Sequence, residues 1–320
     1  MPRTRTPLAV ITAAATALAL AACGGASEAT DGATTVQVGT LRGQPHLFTP
    51  FLYEEHLAEG TEMEIVLFDT STDIKNAVAS GAVEFGVAGA PSALAGVAAG
   101  QEVRIIASSA DGGTRIVGSL EISGVADLAG STIGYPMGAS QEILLRLTLQ
   151  AHGIDPDTDV ELVNLPFADM ASAWESGQID AFSSAETGPS IAINAGAHEI
   201  VSPYETPVGR VNIVLMTSGD VIAEAPDVVQ TVVDAHALAT EDLLSDPDAW
   251  GAGVVTEFGV DADVVETAIE NIWPRWDLDE EYQEQVLALS EEMLALDQLP
   301  NAVDPSAIFD TTFIDGVTAP

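Results

Sequence analysis

Five hydroxyl side chains, Ser71, Thr72, Ser92, Ser140 and Ser184, stand just after apolar runs of the kind that form strands. A hydroxyl beside the free backbone N–H groups at a helix start suits a small anion or a polar head group. Each is equally readable as a plain helix cap. The same post-strand loops (42–46, 70–72, 89–92, 138–141, 166–169 and 184–188) also carry Arg42, Gln44, His46, Ala90, Gly138, Phe167 and Glu186. Arg42, Arg115 and Arg210 stand out because cations are so scarce. A guanidinium pairs well with a sulfonate or carboxylate, the alternative for each being an ion pair with one of the chain's own acids. His46 follows Pro45 and could donate to a ligand, whereas His56, His152, His198 and His236 are expected in helices or on the surface. Glu186 reads as the partner of an amine, or as the favourable acid at the start of a helix near Thr187–Pro189.

This inventory suits reversible binding rather than bond making. No His, Cys or Asp cluster has metal-ligand spacing, no glycine-rich loop precedes a P-loop lysine, and Gly-x-Ser-x-Gly is absent. No catalytic residue, no metal and no cofactor is therefore expected. A tethered sensor built on the same elements is the non-enzymatic alternative to a ligand carrier.

Cys23, the single cysteine of 320 residues, ends the tetrapeptide Leu20-Ala21-Ala22-Cys23, after Arg3, Arg5 and an uncharged apolar run from Leu8. This layout is that of a secretory signal peptide over residues 1–22. The tetrapeptide resembles a bacterial lipobox, which implies diacylation of Cys23 and a lipid anchor on the outer face of the cell membrane. Residues 23–34 are small and polar, as in a flexible tether. Forty-nine acids against nine Lys and Arg give a net charge of −40. Such a chain is not expected to bind nucleic acid, and its scattered acids suit high salt, where screening relieves self-repulsion.

From Val36 short β-branched runs alternate with helical stretches, which predicts an α/β fold with a mainly parallel sheet. Strands are expected at 36–41, 63–68, 83–88, 103–108, 132–135, 160–165, 179–183 and 211–217. The segment Asp73-Ile74-x-x-Ala77-x-x-Ser80-Gly81-x-Val83-Glu84 matches Asp169-Met170-x-x-Ala173-x-x-Ser176-Gly177-x-Ile179-Asp180 at an offset of 96 residues. Two similarly built lobes follow: residues 35–118 with 211–320, and residues 119–210. Each repeat needs an acid at the helix start, an alanine against the sheet, and a glycine to end the helix. Helices are expected at 226–244, 247–258, 261–272 and 279–296, with Trp250, Trp273 and Trp276 as packing residues of this helical tail.

The chain resembles the type II periplasmic-binding-protein superfamily, in particular its nitrate/sulfonate/taurine and thiamine-precursor (NMT1-like) branch. The resemblance rests on Val78–Val87 (VASGAVEFGV), Ile122–Tyr135 (ISGVADLAGSTIGY), Ser176–Ala181 (SGQIDA) and Ala225–Val229 (APDVV). It implies a bilobal fold with crossover strands and a helical C-terminal region. It also implies a monomeric receptor that passes a small solute, such as a sulfonate, taurine, nitrate or a heterocyclic precursor, to an ABC permease and its ATPase. Where that branch often has Trp-Glu-Pro, this chain has Ala185-Glu186-Thr187, so the aromatic neighbour of Glu186 is missing.

Overall fold

The computed structural model describes residues 34–317. The expected signal segment, Cys23 and all but the last residue of the tether lie outside the described residues. The first half of the chain runs β1 (Thr34–Leu41), two 3-10 turns (Pro45–Leu47 and Thr49–Glu55), β2 (Thr61–Phe68), α1 (Ser71–Ala79), β3 (Phe85–Gly89), α2 (Ala90–Ala98), β4 (Val103–Gly112) and β5 (Thr114–Gly118). It continues with β6 (Thr132–Tyr135), α3 (Ser140–Ala151), β7 (Glu161–Asn164), α4 (Met170–Glu175), β8 (Ala181–Ala185), α5 (Gly188–Asn194) and β9 (His198–Val201). The rest is β10 (Val211–Ser218), α6 (Gly219–Glu224), α7 (Pro226–Ser245), α8 (Pro247–Phe258), α9 (Ala262–Ile269), β11 (Ile272–Pro274), α10 (Glu280–Ala295) and α11 (Pro305–Ile308).

These strands form two sheets, in the orders β11-β4-β10-β3-β1-β2 and β9-β5-β8-β6-β7. Without the edge strand β11 the two orders correspond strand for strand. In the first sheet β10 lies antiparallel between β4 and β3. In the second, β5 lies antiparallel between β9 and β8. Each sheet thus takes its antiparallel strand from chain that has just crossed from the other.

The 96-residue repeat is visible in the geometry. β3 maps onto β8, and Gly81 and Gly177 share a φ of 71° at the ends of α1 and α4. The N–H of Ala82 donates to the Ala77 carbonyl at 2.8 Å, and that of Gln178 to the Ala173 carbonyl at 2.9 Å. This glycine-ended helix termination satisfies the last carbonyls of each helix. Ala77 and Ala173 are both buried, as a helix face packed on a sheet requires. The cap of α1 is Thr70, whose Oγ1 accepts from the Asp73 N–H at 3.1 Å, rather than Asp73 itself.

Three strands differ from the expectation. No strand is expected between residues 108 and 132, yet β4 runs to Gly112 and β5 begins two residues later. Gly112 and Gly113 have φ of 75° and 69°, the left-handed region that glycine enters without strain. Because β5 pairs in the second sheet, the first crossing falls at Gly113 and not at the expected residue 118. His198 lies in β9. Trp273 lies in β11, paired with β4, and not in a helix: α9 stops at Ile269, and Pro274 cannot continue a helix.

One large core lies under the first sheet and the C-terminal helices, and two smaller cores cover the faces of the second sheet. Ile143 and Leu144 of α3 join the large core, while Leu145 and Leu149 of the same helix join a core of the second sheet. The start of α3 therefore packs against both lobes.

Candidate ligand cleft at the crossing strands

In the first lobe, the loops after β1, β2 and β3 carry the expected residues. Ser71 opens α1 and its Oγ accepts from the Gly89 N–H at 3.1 Å. The Ser92 hydroxyl donates to the Gly89 carbonyl at 2.7 Å. Both hydroxyls thus hold the turn from β3 into α2, whose first residue, Ala90, is fully buried. Thr72 is exposed. Arg42 is also exposed, with Asp69 3.6 Å away. A screened pair of that kind fixes little.

His46 sits differently. Its ring is buried, its Nδ1 has no hydrogen-bond partner, and burial lowers its pKa to about 3, so the imidazole is neutral. A Cβ built on Gly113 would stand 3.3 Å from that Nδ1 and 3.3 Å from Asn212 Nδ2. His46 therefore packs on the first crossing itself. Gln44 Oε1, two residues earlier, is likewise buried without a partner.

From the second lobe, the Gly138 N–H donates to Glu142 Oε2 at 2.8 Å, which shapes the entry to α3. The Ser140 hydroxyl donates to Asn212 Oδ1 at 3.1 Å, and Asn212 Nδ2 donates to the Gly112 carbonyl at 2.6 Å. Gln141 Nε2 donates to Thr114 Oγ1 at 3.0 Å. The helix start is thereby docked onto both crossing strands. Phe167 is half-buried, and Ser184 is fully buried with its Oγ unpartnered.

Arg115 and Glu186 engage each other. Arg115 Nε lies 2.9 Å from Glu186 Oε1, and the two side chains are 9% and 0% exposed. Glu186 also accepts from the Ser190 hydroxyl and from Asn271 Nδ2, the latter at 3.0 Å, while Arg115 Nη2 donates to the Thr267 carbonyl at 3.2 Å. Burial pushes the Glu186 carboxyl above its ordinary pKa, opposed by the Arg115 charge. Of the readings open for Arg115, a solute partner or an ion pair with one of the chain's own acids, the geometry gives the pair, in a network that joins β5 and the turn after β8 to α5 and α9.

Sequence reasoning missed Thr114, Gln141, Tyr204, Asn212 and Asn271. Tyr204 OH donates to the Thr114 carbonyl at 2.7 Å, and Asn271 Nδ2 donates to the same oxygen at 2.9 Å. Polar side chains are ordinary in surface segments. Only the places of β5 and β10 in their sheets show that Thr114, Gln141, Asn212 and Asn271 are buried at the crossings, with Tyr204 half-buried beside them. Among the described residues, no three His, Cys, Asp or Glu side chains converge on a metal position, and no helix is long and apolar enough to cross a membrane.

Two α/β lobes that exchange their antiparallel strands, with helix starts facing the crossings, have the architecture of solved periplasmic binding proteins. The chain belongs to the family described as NMT1/THI5 like, whose model matches residues 56–250. The alkanesulfonate-binding protein SsuA from Xanthomonas axonopodis pv. citri, solved with MOPS bound, is similar with a TM-score of 0.75 at 20% identity, over 88% of this chain and 99% of that one. The periplasmic nitrate-binding protein NrtA from Synechocystis PCC 6803 is similar with a TM-score of 0.72 at 13% identity, over 89% of this chain and 88% of that one. A Brucella abortus (strain 2308) protein provisionally named a binding protein is 32% identical over 130 residues, 41% of this chain and 39% of the relative. The chain's match thus spans about two fifths of the length of such curated relatives.

Proposed function

We propose that this chain is the extracytoplasmic solute receptor of an ABC importer. It closes its lobes around a small anion or zwitterion of the sulfonate, taurine or nitrate kind and hands it to the permease and ATPase. The observation that carries this reading is the double crossing at Gly112–Thr114 and Arg210–Val211, which links the lobes by two adjacent strands, as hinge closure around a ligand needs. Ser71, Thr72 and Ser92 would face solute from the first lobe, with Ala90 packed behind them, and Gly138, Ser140, Phe167 and Ser184 from the second. Gln44 and His46 would form the floor. The buried unpartnered atoms of Gln44, His46 and Ser184 are where a ligand would complete a hydrogen bond. Binding alone accounts for these groups, so no catalysis is assigned.

A second reading, a neutral heterocycle such as a thiamine-pyrimidine precursor, is favoured by the Arg115–Glu186 pair, which takes a guanidinium away from any anion. A thermal-shift screen of sulfonates, nitrate, amino acids and pyrimidine precursors separates the two, because a bound solute raises the melting temperature by mass action. A response to a pyrimidine and to no sulfonate would reverse the ranking. A response to none would remove the receptor reading.

Lipidation at Cys23 would hold the receptor, as a monomer, at the membrane's outer face. Intact mass after membrane extraction tests this through the two added acyl chains. The acidic surface is read as adaptation to salt.

A further inference from the structure

A cavity of about 300 Å³ opens beside the crossings, and of the residues read in the sequence as possible solute partners it contains only Arg210. Its walls include Asp111 at the end of β4, Tyr204 and Arg210 on the segment returning from β9, and Arg275, Asp279 and Glu281 around the start of α10. Both crossing segments therefore contribute to it.

The charges in this cavity are not evenly spent. Arg275 binds Asp111, Asp277 and Asp279 at 2.9, 2.7 and 3.3 Å, and its guanidinium stacks on Tyr282 at 4.4 Å. Arg210 is held over the Trp273 ring, 4.1 Å from its centroid, and among the described residues no carboxylate lies within 4.0 Å of its guanidinium. On the acidic side, Asp111 is 9% exposed, and its Oδ1 is buried without a hydrogen-bond partner while Oδ2 holds Arg275. Glu281 has only a long 3.4 Å contact from Gln285 Nε2.

A stacked guanidinium keeps its N–H edges for a planar or tetrahedral oxyanion, and an unpartnered carboxylate oxygen asks for an N–H donor. A simple anion would lie against Asp279 and Glu281, and a simple cation against Arg210. A molecule bearing both charges offsets both.

We propose that this cavity is a second binding site, for a small zwitterion carrying one carboxylate or sulfonate and one ammonium group. Arg210 receives the oxyanion, and Asp111 with Glu281 receives the ammonium.

The test is calorimetric titration of the full chain with taurine and with 4-aminobutanoate, using acetate and methylammonium as single-charge controls. The zwitterions are expected to show a binding step, separate from any in the cleft, that the controls lack. Arg210→Gln and Asp111→Asn are each expected to weaken binding by roughly tenfold or more, as loss of a hydrogen bond to a charged group does. Arg104→Gln, at an unrelated surface pair, is expected to leave it unchanged. Arg210 is exposed, so its variant keeps the test valid should Asp111→Asn unfold. No zwitterion binding at millimolar concentration, or equal binding of acetate or methylammonium, overturns the proposal. So does a separate step that survives both substitutions, whereas a step that belongs to the cleft reports on the receptor reading alone.

Discussion

Arg115 Nε stands 2.9 Å from Glu186 Oε1, and both side chains are closed off from water. The two residues are 71 apart in sequence and meet because β5 pairs antiparallel with β8, setting Arg115 opposite Ser184. A buried pair of this kind contributes little over an apolar pair, but losing one member strands the other charge. Glu186→Ala is expected to destabilise the chain by about 3–5 kcal/mol in urea denaturation. Replacing both residues together, Arg115→Met with Glu186→Leu, should recover most of that loss. A single variant as stable as the parent would refute the account.

The first crossing depends on glycine for a stated reason. A Cβ on Gly112 would lie 2.4 Å from the Trp273 ring and 2.5 Å from the Asn271 carbonyl, whereas one on Gly138, with a φ of 78°, meets nothing within 4 Å. Gly138→Ala should cost only the backbone penalty of about 1 kcal/mol, and Gly112→Ala about 1–3 kcal/mol more from overpacking. Melting curves of the two variants compare them directly.

Two buried histidines give the stability a defined pH slope. Burial lowers His46 to about 3 and His236 to about 4. His236 is fixed in α7 between Tyr53 OH and the Ser108 carbonyl, both 2.6 Å away. Below an ordinary histidine pKa of about 6.5 the unfolded chain takes up protons that the native state refuses, so stability must fall as pH falls. The fall is expected to approach 1.4 kcal/mol per pH unit per histidine below about pH 6. Asp111, Glu186 and Glu199, all raised by burial, act in the opposite sense from their ordinary carboxylate pKa upward. Denaturation midpoints between pH 7 and 5, approximately, would show the slope, and His236→Gln should remove its share.

Ser184 separates stability from binding. Its hydroxyl is fully buried with no partner, so Ser184→Ala should leave stability unchanged or slightly improved. If the hydroxyl completes a bond to solute, the same variant weakens affinity by about tenfold. Unaltered affinity would remove Ser184 from the cleft.

Net charge sets the response to salt. With −40 spread over the surface, added salt should raise the melting temperature, most steeply up to about 0.1 M, where the screening length is already near 10 Å. A melting temperature indifferent to salt would reduce the acidic surface to a matter of solubility.

Local physics made much of this chain legible. A helix-ending glycine, an alanine against the sheet and a β-branched run act within a dozen residues. The 96-residue repeat through Gly81 and Gly177, the alternation of strands and helices, and most of the C-terminal helices could therefore be read from residue types alone. Ser71 and Ser92 could be placed at their turns for the same reason. What remained hidden depends on contacts between distant segments. No strand is expected at residues 114–118 from the sequence, and that stretch is extended because β8 and β9 supply its hydrogen bonds. Trp273 leaves the helical tail because β4 offers an open edge. Asn212 and Asn271 become structural only once the crossings bring the Gly112 and Thr114 carbonyls beside them. Arg115 and Glu186 carried correct chemistry in the sequence, a guanidinium and a carboxylate in search of partners. Tertiary pairing made each the other's partner, because two opposite charges excluded from water are held together far more strongly than either would be alone.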